Sequence, residues 1–186
     1  MLQTVYHTLF QPATIQSAKD IKASWWHGAL MVILVSTLFT LSMASGWTLQ
    51  QLVLGLLLAW GQSLLTWWFL SLLFHFASDI FGGSGRIQQV LTATGFAITP
   101  LLLWPLLTAF QIQWGAPGQT LAVVGAMGLV FWCLTLLGRL LAVSESIPLD
   151  RALGALVMTL FLVGVLLMST VVLSGLQIAF WGASLL

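Results

Sequence analysis

Long apolar segments and short polar ones alternate along this chain. Five apolar runs have the length, about 20 residues or somewhat more, that a helix needs to cross the hydrocarbon core of a bilayer. They cover residues 28–45, 52–76, 90–110, 121–141 and 152–179. Tryptophans flank the first run on both sides, as is typical of the membrane–water interface. The pattern predicts an all-α integral membrane protein, a bundle of five transmembrane helices.

The five predicted spans leave little chain for any other domain. We expect a membrane domain over residues 26–186 and a cytoplasmic N-terminal segment over residues 1–25. Apolar residues recur at broadly helical spacing in this segment, which predicts an interfacial amphipathic helix broken near Pro12.

Composition supports the membrane assignment and excludes several classes of protein. Of the 186 residues, 60% are hydrophobic and 5% are charged, which excludes a soluble domain with a charged surface. The formal net charge is +1 without any basic tract, so we expect no nucleic-acid partner. Cys133 is the only cysteine, so the chain can form neither an intramolecular disulfide nor a cysteine-based metal cluster.

All basic residues fall on one side of the predicted bundle. They are Lys19, Lys22, Arg86, Arg139 and Arg151. Since the loops of the other side carry none, the positive-inside rule predicts an inner N-terminus and an outer C-terminus. The acidic residues share the inner side. We call this surface the charged face and define it by Asp79, residues 82–86, Arg139 and residues 145–151.

Few polar features interrupt the spans themselves. Gly95, Pro100 and Pro105 fall in the third span, where the prolines remove backbone donors and predict a kink. No Asp, Glu, Lys or Arg is placed near the middle of a span, which disfavours an ion-coupled transporter. Gln62 is the most polar group at mid-span. We expect it to hydrogen-bond a neighbouring helix; the alternative is contact with a substrate.

A metal site would have to begin from two residues at the inner end of the second span. His75 and Asp79 stand four residues apart, so a continuous helix would place them on one face. Two ligands do not make a site. A third ligand would have to come from His27, His7, Glu145 or Asp150. We therefore expect no metal and no cofactor, with His75 and Asp79 as weak candidates.

A glycine-rich turn follows the second span, with the residues Gly82, Gly83, Ser84 and Gly85 before Arg86. It superficially matches the Gly-x-Ser-Gly of rhomboid proteases, but no histidine follows Ser84 to act as a base. Nucleophilic catalysis is therefore not expected. Two interpretations stay open: a flexible turn between helices, and a phosphate or lipid head-group site built from backbone N–H groups and Arg86.

This turn and the following helix resemble the signature of the Ypt/Rab-interacting protein (Yip) family. The resemblance rests on the segments Phe81-Gly82-Gly83-Ser84-Gly85-Arg86-Ile87-Gln88-Gln89, Gly95-Phe96-Ala97 and Pro100-Leu101. Leu9-Phe10-Gln11-Pro12 and Asp150-Arg151-Ala152 are also similar. The resemblance implies five helices and an inner N-terminus. It also implies a location in the cytoplasmic membrane, since the chain looks like the short prokaryotic members.

Eukaryotic Yip proteins associate with prenylated Rab-type GTPases and with one another. This chain lacks their long hydrophilic N-terminal domain, so GTPase binding is not carried over to it. We expect a non-enzymatic protein that binds membrane proteins, including copies of itself, or organises lipid through the charged face. The alternative is a small permease or lipid-moving protein, and the third hypothesis is a metal-dependent membrane enzyme using His75 and Asp79.

Overall fold

The computed structural model describes the backbone of residues 25–183 and the side chains of residues 25–169. The predicted interfacial helix in residues 1–25 therefore lies outside the described residues, apart from Trp25. Within the described range the chain is helical and contains no strand, so the all-α fold class is confirmed. The elements are α1 (Trp25–Met43), α2 (Leu49–Ile80), α3 (Ile87–Ala97), a 3-10 helix (Thr99–Leu103), α4 (Trp104–Glu145) and α5 (Leu149–Ala183).

Four helical stretches of the described chain are long and apolar enough to cross a membrane. They are Trp25–Met43, Leu49–Ile80, Ile87–Glu145 and Leu149–Ser169. The second extends past the predicted limit at residue 76 and continues through Asp79 to Ile80. The third is 59 residues long, which at about 1.5 Å per residue would be nearly 90 Å if it were straight. A bilayer core is only about 30 Å thick.

This third stretch is not straight, because α4 reverses direction at Gly115. Gly115 has φ 56° and ψ −128°, which is not a helical conformation and favours glycine. A Cβ atom on Gly125 would lie 2.5 Å from Cδ2 of Leu107, and one on Gly118 would meet the carbonyl oxygen of Phe110. Residues 107 and 125 would be about 27 Å apart in a continuous helix. The two arms of α4 therefore pack against each other.

At the predicted kink in the third span, a 3-10 helix interrupts the α-helix between α3 and α4. Pro100 lies in that 3-10 helix, where its missing N–H and its ring disfavour a continuous α-helix. Pro105 lies in the first turn of α4, a position that suits proline because the N–H there has no helical partner.

Gly95 lies before the 3-10 helix, in close contact with another helix. A Cβ atom on Gly95 would overlap the backbone of Gly28, and one on Gly28 would lie 2.7 Å from the carbonyl oxygen of Leu91. These two glycines let α1 and α3 cross with their backbones in contact. Gly95 is therefore a packing residue at a helix crossing, and the chain bends further on, at Pro100.

Hydrogen bonds between side chains join α1, α2 and α3, with tryptophan and serine as donors and threonine and serine as acceptors. Trp60 Nε1 donates to Thr37 Oγ1 (2.9 Å), Ser63 Oγ donates to Ser36 Oγ (3.1 Å) and Trp67 Nε1 donates to Thr94 Oγ1 (3.0 Å). Gln62 was expected to make such a bond. Its side-chain amide instead has no hydrogen-bond partner in the described part of the chain. That expectation is wrong for these residues, and the neighbours of Gln62 join the helices.

A buried apolar cluster lies near the ends of α2 and α4. Its largest members come from α2, α3, α4, the α4–α5 connection and α5. In that order they are Phe74, Val90, Leu141, Ile147 and Leu156. Burial of side chains this large stabilises each by about 1.5–3 kcal/mol in a soluble core. In this chain the cluster fixes the ends of four helices relative to one another, and those ends carry the charged face.

Candidate functional site at the charged face

The glycine-rich turn begins as the cap of α2. The N–H of Gly83 donates to the carbonyl of Ser78 (2.8 Å) and that of Gly82 to the carbonyl of Asp79 (3.0 Å). This is the Schellman pattern, which places its penultimate residue in the left-handed region. Gly82 has φ +85°, so the conformation explains the first glycine of the motif.

The C-terminal end of α4 repeats this pattern without a glycine. Ile147 N–H donates to the carbonyl of Ala142 (3.0 Å) and Ser146 N–H to that of Val143 (3.4 Å). Ser146 takes the left-handed conformation at φ 56°, which is uncommon for a residue with a side chain. The two capped helix ends pack together, since Ser84 N–H donates to the carbonyl of Glu145 (3.1 Å).

The remaining glycines of the turn are required by close contact with the end of α4. A Cβ atom on Gly85 would overlap the carbonyl oxygen of Ser144 and lie 2.7 Å from Oε2 of Glu145. One on Gly83 would lie 2.8 Å from the same Oε2. Hence the turn is packed tightly against Glu145. Its backbone is held by hydrogen bonds as well as by packing, while the phosphate or lipid head-group site stays a prediction.

Glu145 is the centre of this arrangement and is fully buried. Its Oε1 lies 2.6 Å from Nδ1 of His75, and its Oε2 accepts the N–H of Gly85 at 2.9 Å. A buried carboxylate is costly unless each oxygen has a partner, and both partners are present here. When the carboxylate is ionised, Nδ1 of His75 carries the proton and donates it. Glu145 thereby joins α2, the glycine turn and α4.

Asp79 completes a group of three residues that could hold a metal ion. Its Oδ1 lies 3.9 Å from Nδ1 of His75, because the two residues are one turn apart on α2. One ligand atom each from His75, Asp79 and Glu145 lies within 4.8 Å of the others. One nitrogen and two carboxylate ligands suit a divalent transition metal. Of the other predicted third ligands, His27 and Asp150 do not join this group, and His7 lies outside the described residues.

The arginines of the charged face lie at its surface. Arg86, Arg139 and Arg151 are all exposed, and none has a carboxylate of a described residue within 4.0 Å. Arg151 makes one long contact, from Nη1 to the carbonyl of Phe81 at 3.5 Å. Asp150 lies in the first turn of α5, where an acidic side chain interacts favourably with the helix dipole. The face therefore has a paired interior and unpaired cations outside.

From the sequence, Glu145 was predicted only as one of four possible third ligands. No pattern in the sequence separates it from Asp79 or Asp150, which are exposed. Two nearby signals were available: the glycines at 83 and 85, which require a close neighbour, and Ser144 with Glu145 at the end of an apolar run. Neither signal shows that the segment packed against the glycines is the end of α4.

The fold and this face define an all-helical membrane protein whose helix ends are held together by a buried glutamate. A comparison with family models makes the assignment specific: the Yip1 domain matches residues 6–173. Because the match covers most of the chain, this protein belongs to the Yip1 family, and the family predicted from the glycine turn is confirmed. Comparisons with curated proteins and with solved structures found no match.

Proposed function

We propose that this Yip1-family chain is a non-enzymatic, five-span protein of a prokaryotic cytoplasmic membrane, with its N-terminus inside. On this proposal the charged face is the cytoplasmic surface and binds an acidic group on another membrane protein. The reversal at Gly115 supports five spans, because it divides a 59-residue helical stretch into two antiparallel parts. The location of every basic residue on one side supports the orientation.

The observation that carries the binding proposal is the contrast between the buried and exposed charges of this face. Glu145 is satisfied internally by His75 and Gly85, and neither Asp79 nor Asp150 lies within 4.0 Å of an arginine nitrogen. Arg86, Arg139 and Arg151 therefore present guanidinium groups that have no carboxylate partner among the described residues. A guanidinium binds carboxylate or phosphate groups through paired N–H donors. Three of them on a surface fixed by Glu145 favour an acidic ligand.

Crosslinking in native membranes tests this proposal. Tagged wild-type protein is crosslinked at lysines and carboxylates, solubilised and purified, and the covalent partners are identified by mass spectrometry. We expect a reproducible membrane-protein partner, and at least a fivefold lower yield with Arg86→Ala. The matched control is Gln88→Ala, which changes an exposed neutral side chain two residues away.

The results also separate the possible acidic ligands. Recovery of no reproducible partner, with Arg86→Ala behaving like the wild type, would overturn the proposal. A yield that depends on the content of anionic lipid and involves no protein would assign the arginines to lipid head groups instead.

A second candidate function is supported by a separate observation. A cavity of about 910 Å³, walled by the five helices and the 3-10 helix, carries Gln62 on its wall, as a small permease or lipid-moving protein would require. Purified protein in liposomes tests this function through lipid flip-flop and solute flux. If neither rate exceeds that of protein-free vesicles, the transport function fails, whereas the proposal for the charged face is unaffected.

A further inference from the structure

The cavity that carries Gln62 lies among the helices that are apolar enough to span the membrane. It has a volume of about 910 Å³ and is walled by α1, α2, α3, the 3-10 helix, α4 and α5. This volume falls near the upper end of the range, about 300–1,000 Å³, that is typical of ligand pockets. Most of the wall is apolar, including Phe39, Trp47, Leu58 and Trp104. Such a wall suits a hydrocarbon chain.

Three polar groups in this wall have no hydrogen-bond partner among the described residues: the side chains of Gln62 and Thr66 and the indole N–H of Trp104. Gln62 and Thr66 both line the cavity and stand one helical turn apart on α2. The other polar groups nearby are satisfied: Ser63 donates to Ser36, and Thr40 donates to the carbonyl of Ser36 at 2.9 Å. Gln62 and Thr66 thus form one polar spot on the α2 side of a mostly apolar wall.

The position of this spot along α2 makes its lack of partners costly. Gln62 is 13 residues from Leu49 and 18 from Ile80, the two ends of α2, or about 20 and 27 Å along the helix axis. Both distances exceed half the thickness of a bilayer core, about 15 Å, unless the helix is strongly tilted. Water is scarce at that depth, so an amide and a hydroxyl without partners among the described residues need another polar group.

We propose that the cavity binds one membrane lipid, whose hydrocarbon chains contact the apolar wall and whose ester or hydroxyl oxygens hydrogen-bond Gln62 and Thr66. A lipid combines the two chemistries that the wall presents, and it reaches the cavity from the surrounding bilayer. A helix from a second copy fits less well. At a diameter of about 10 Å, a helix would fill 910 Å³ within roughly 12 Å of length, about two turns.

Photocrosslinking after removal of bulk lipid tests this proposal. The full chain is reconstituted with phosphatidylglycerol that carries a diazirine on one acyl chain, then washed extensively in detergent and irradiated. Adducts are located by tandem mass spectrometry. We expect them at Cys133 and Leu137, which line the cavity, and not at Phe131, which is 73% exposed on the same helix. Equal labelling of Phe131 and Cys133 after washing would overturn the proposal.

Variants of the polar spot give the decisive comparison. Gln62→Leu should lower the adducts at Cys133 about fivefold, the factor that corresponds to a net hydrogen bond of about 1 kcal/mol. Thr66→Val should have a similar effect. The matched control Gln50→Leu makes the same change at an exposed position of α2 outside the cavity and should leave the labelling unchanged. Equal labelling in Gln62→Leu and Gln50→Leu would refute the role of the amide.

A variant that fills part of the cavity tests lipid binding without changing Gln62 or Thr66. Ala59→Phe adds bulk to the cavity wall and should reduce the adducts at Cys133, whereas Leu65→Phe, at a side chain 70% exposed and outside the cavity, should not. Circular dichroism and size-exclusion elution verify that each variant is folded. Disulfide-linked dimers formed through Cys133 under mild oxidation, together with loss of the lipid adducts, would assign the cavity to a second copy and overturn the proposal.

Discussion

Replacing Glu145 should destabilise this protein more than replacing any other acidic residue of the charged face. Glu145→Ala leaves Nδ1 of His75 and the N–H of Gly85 without their partner. A buried donor or acceptor left without its partner typically costs about 1–3 kcal/mol. Since the side chain is fully buried, water cannot replace the lost partners without opening the packing. We expect a loss in that range.

Glu145→Gln separates the two hydrogen bonds from the charge. The amide oxygen can accept from the N–H of Gly85, and the amide N–H can donate to Nδ1 of a neutral His75. Both hydrogen bonds are therefore kept. Charge-assisted bonds are about twice as strong as neutral ones. The glutamine variant should therefore lose only about 1–2 kcal/mol. The exposed Asp79, changed to Asn, serves as a control and should lose about 0.5 kcal/mol or less.

Unfolding in mixed micelles with increasing dodecyl sulfate, followed by far-ultraviolet circular dichroism, measures these differences. A double-mutant cycle between His75→Ala and Glu145→Ala should give a coupling of about 1.5–3 kcal/mol. A loss of less than about 1 kcal/mol for Glu145→Ala, equal to that of Asp79→Asn, would refute the central role of Glu145. A coupling below about 0.5 kcal/mol would refute its bond with His75.

Three other substitutions test the packing by the same unfolding assay. Gly85→Ala should cost about 3 kcal/mol, because its Cβ would overlap the carbonyl oxygen of Ser144; retention of full stability would contradict the close approach. Ser146→Gly should stabilise by up to about 1 kcal/mol by relieving the left-handed φ of 56°, and a loss of stability would contradict this conformation. Gly95→Ala should cost about 1–3 kcal/mol at the crossing with Gly28, whereas Gly128→Ala, with nothing within 4 Å of the added atom, should be neutral or slightly stabilising. Equal effects at 95 and 128 would contradict the crossing.

Patterns along the chain were sufficient to predict the helical class, the family and most helix positions. Apolar runs with aromatic ends predict the spans, because side chains that face lipid must be apolar. The prolines at 100 and 105 predicted an interruption, and the chain does break there. Gly115 lies in a segment predicted to be an outer turn, and its backbone reverses the chain.

The charged face could not be predicted in the same way, because its key contacts are between distant segments. His75 and Glu145 are 70 residues apart in sequence, and which carboxylate becomes buried depends on how the helix ends pack. Gly95 shows the same limit. A glycine next to two prolines indicates a bend, yet its role is set by Gly28 on another helix. Gln62 was expected to pair with a neighbouring helix, but only the packing reveals that Ser63 takes that role.

The account depends most on the charged face being the cytoplasmic surface, and cysteine accessibility tests this directly. Ser84→Cys and Gln113→Cys are introduced separately into a Cys133→Ser background and treated with a membrane-impermeant maleimide in intact spheroplasts. Both side chains are exposed. We predict immediate labelling of the cysteine at 113 and labelling of the one at 84 only after permeabilisation. Labelling of position 84 in intact spheroplasts would contradict the orientation and the function proposed for this face.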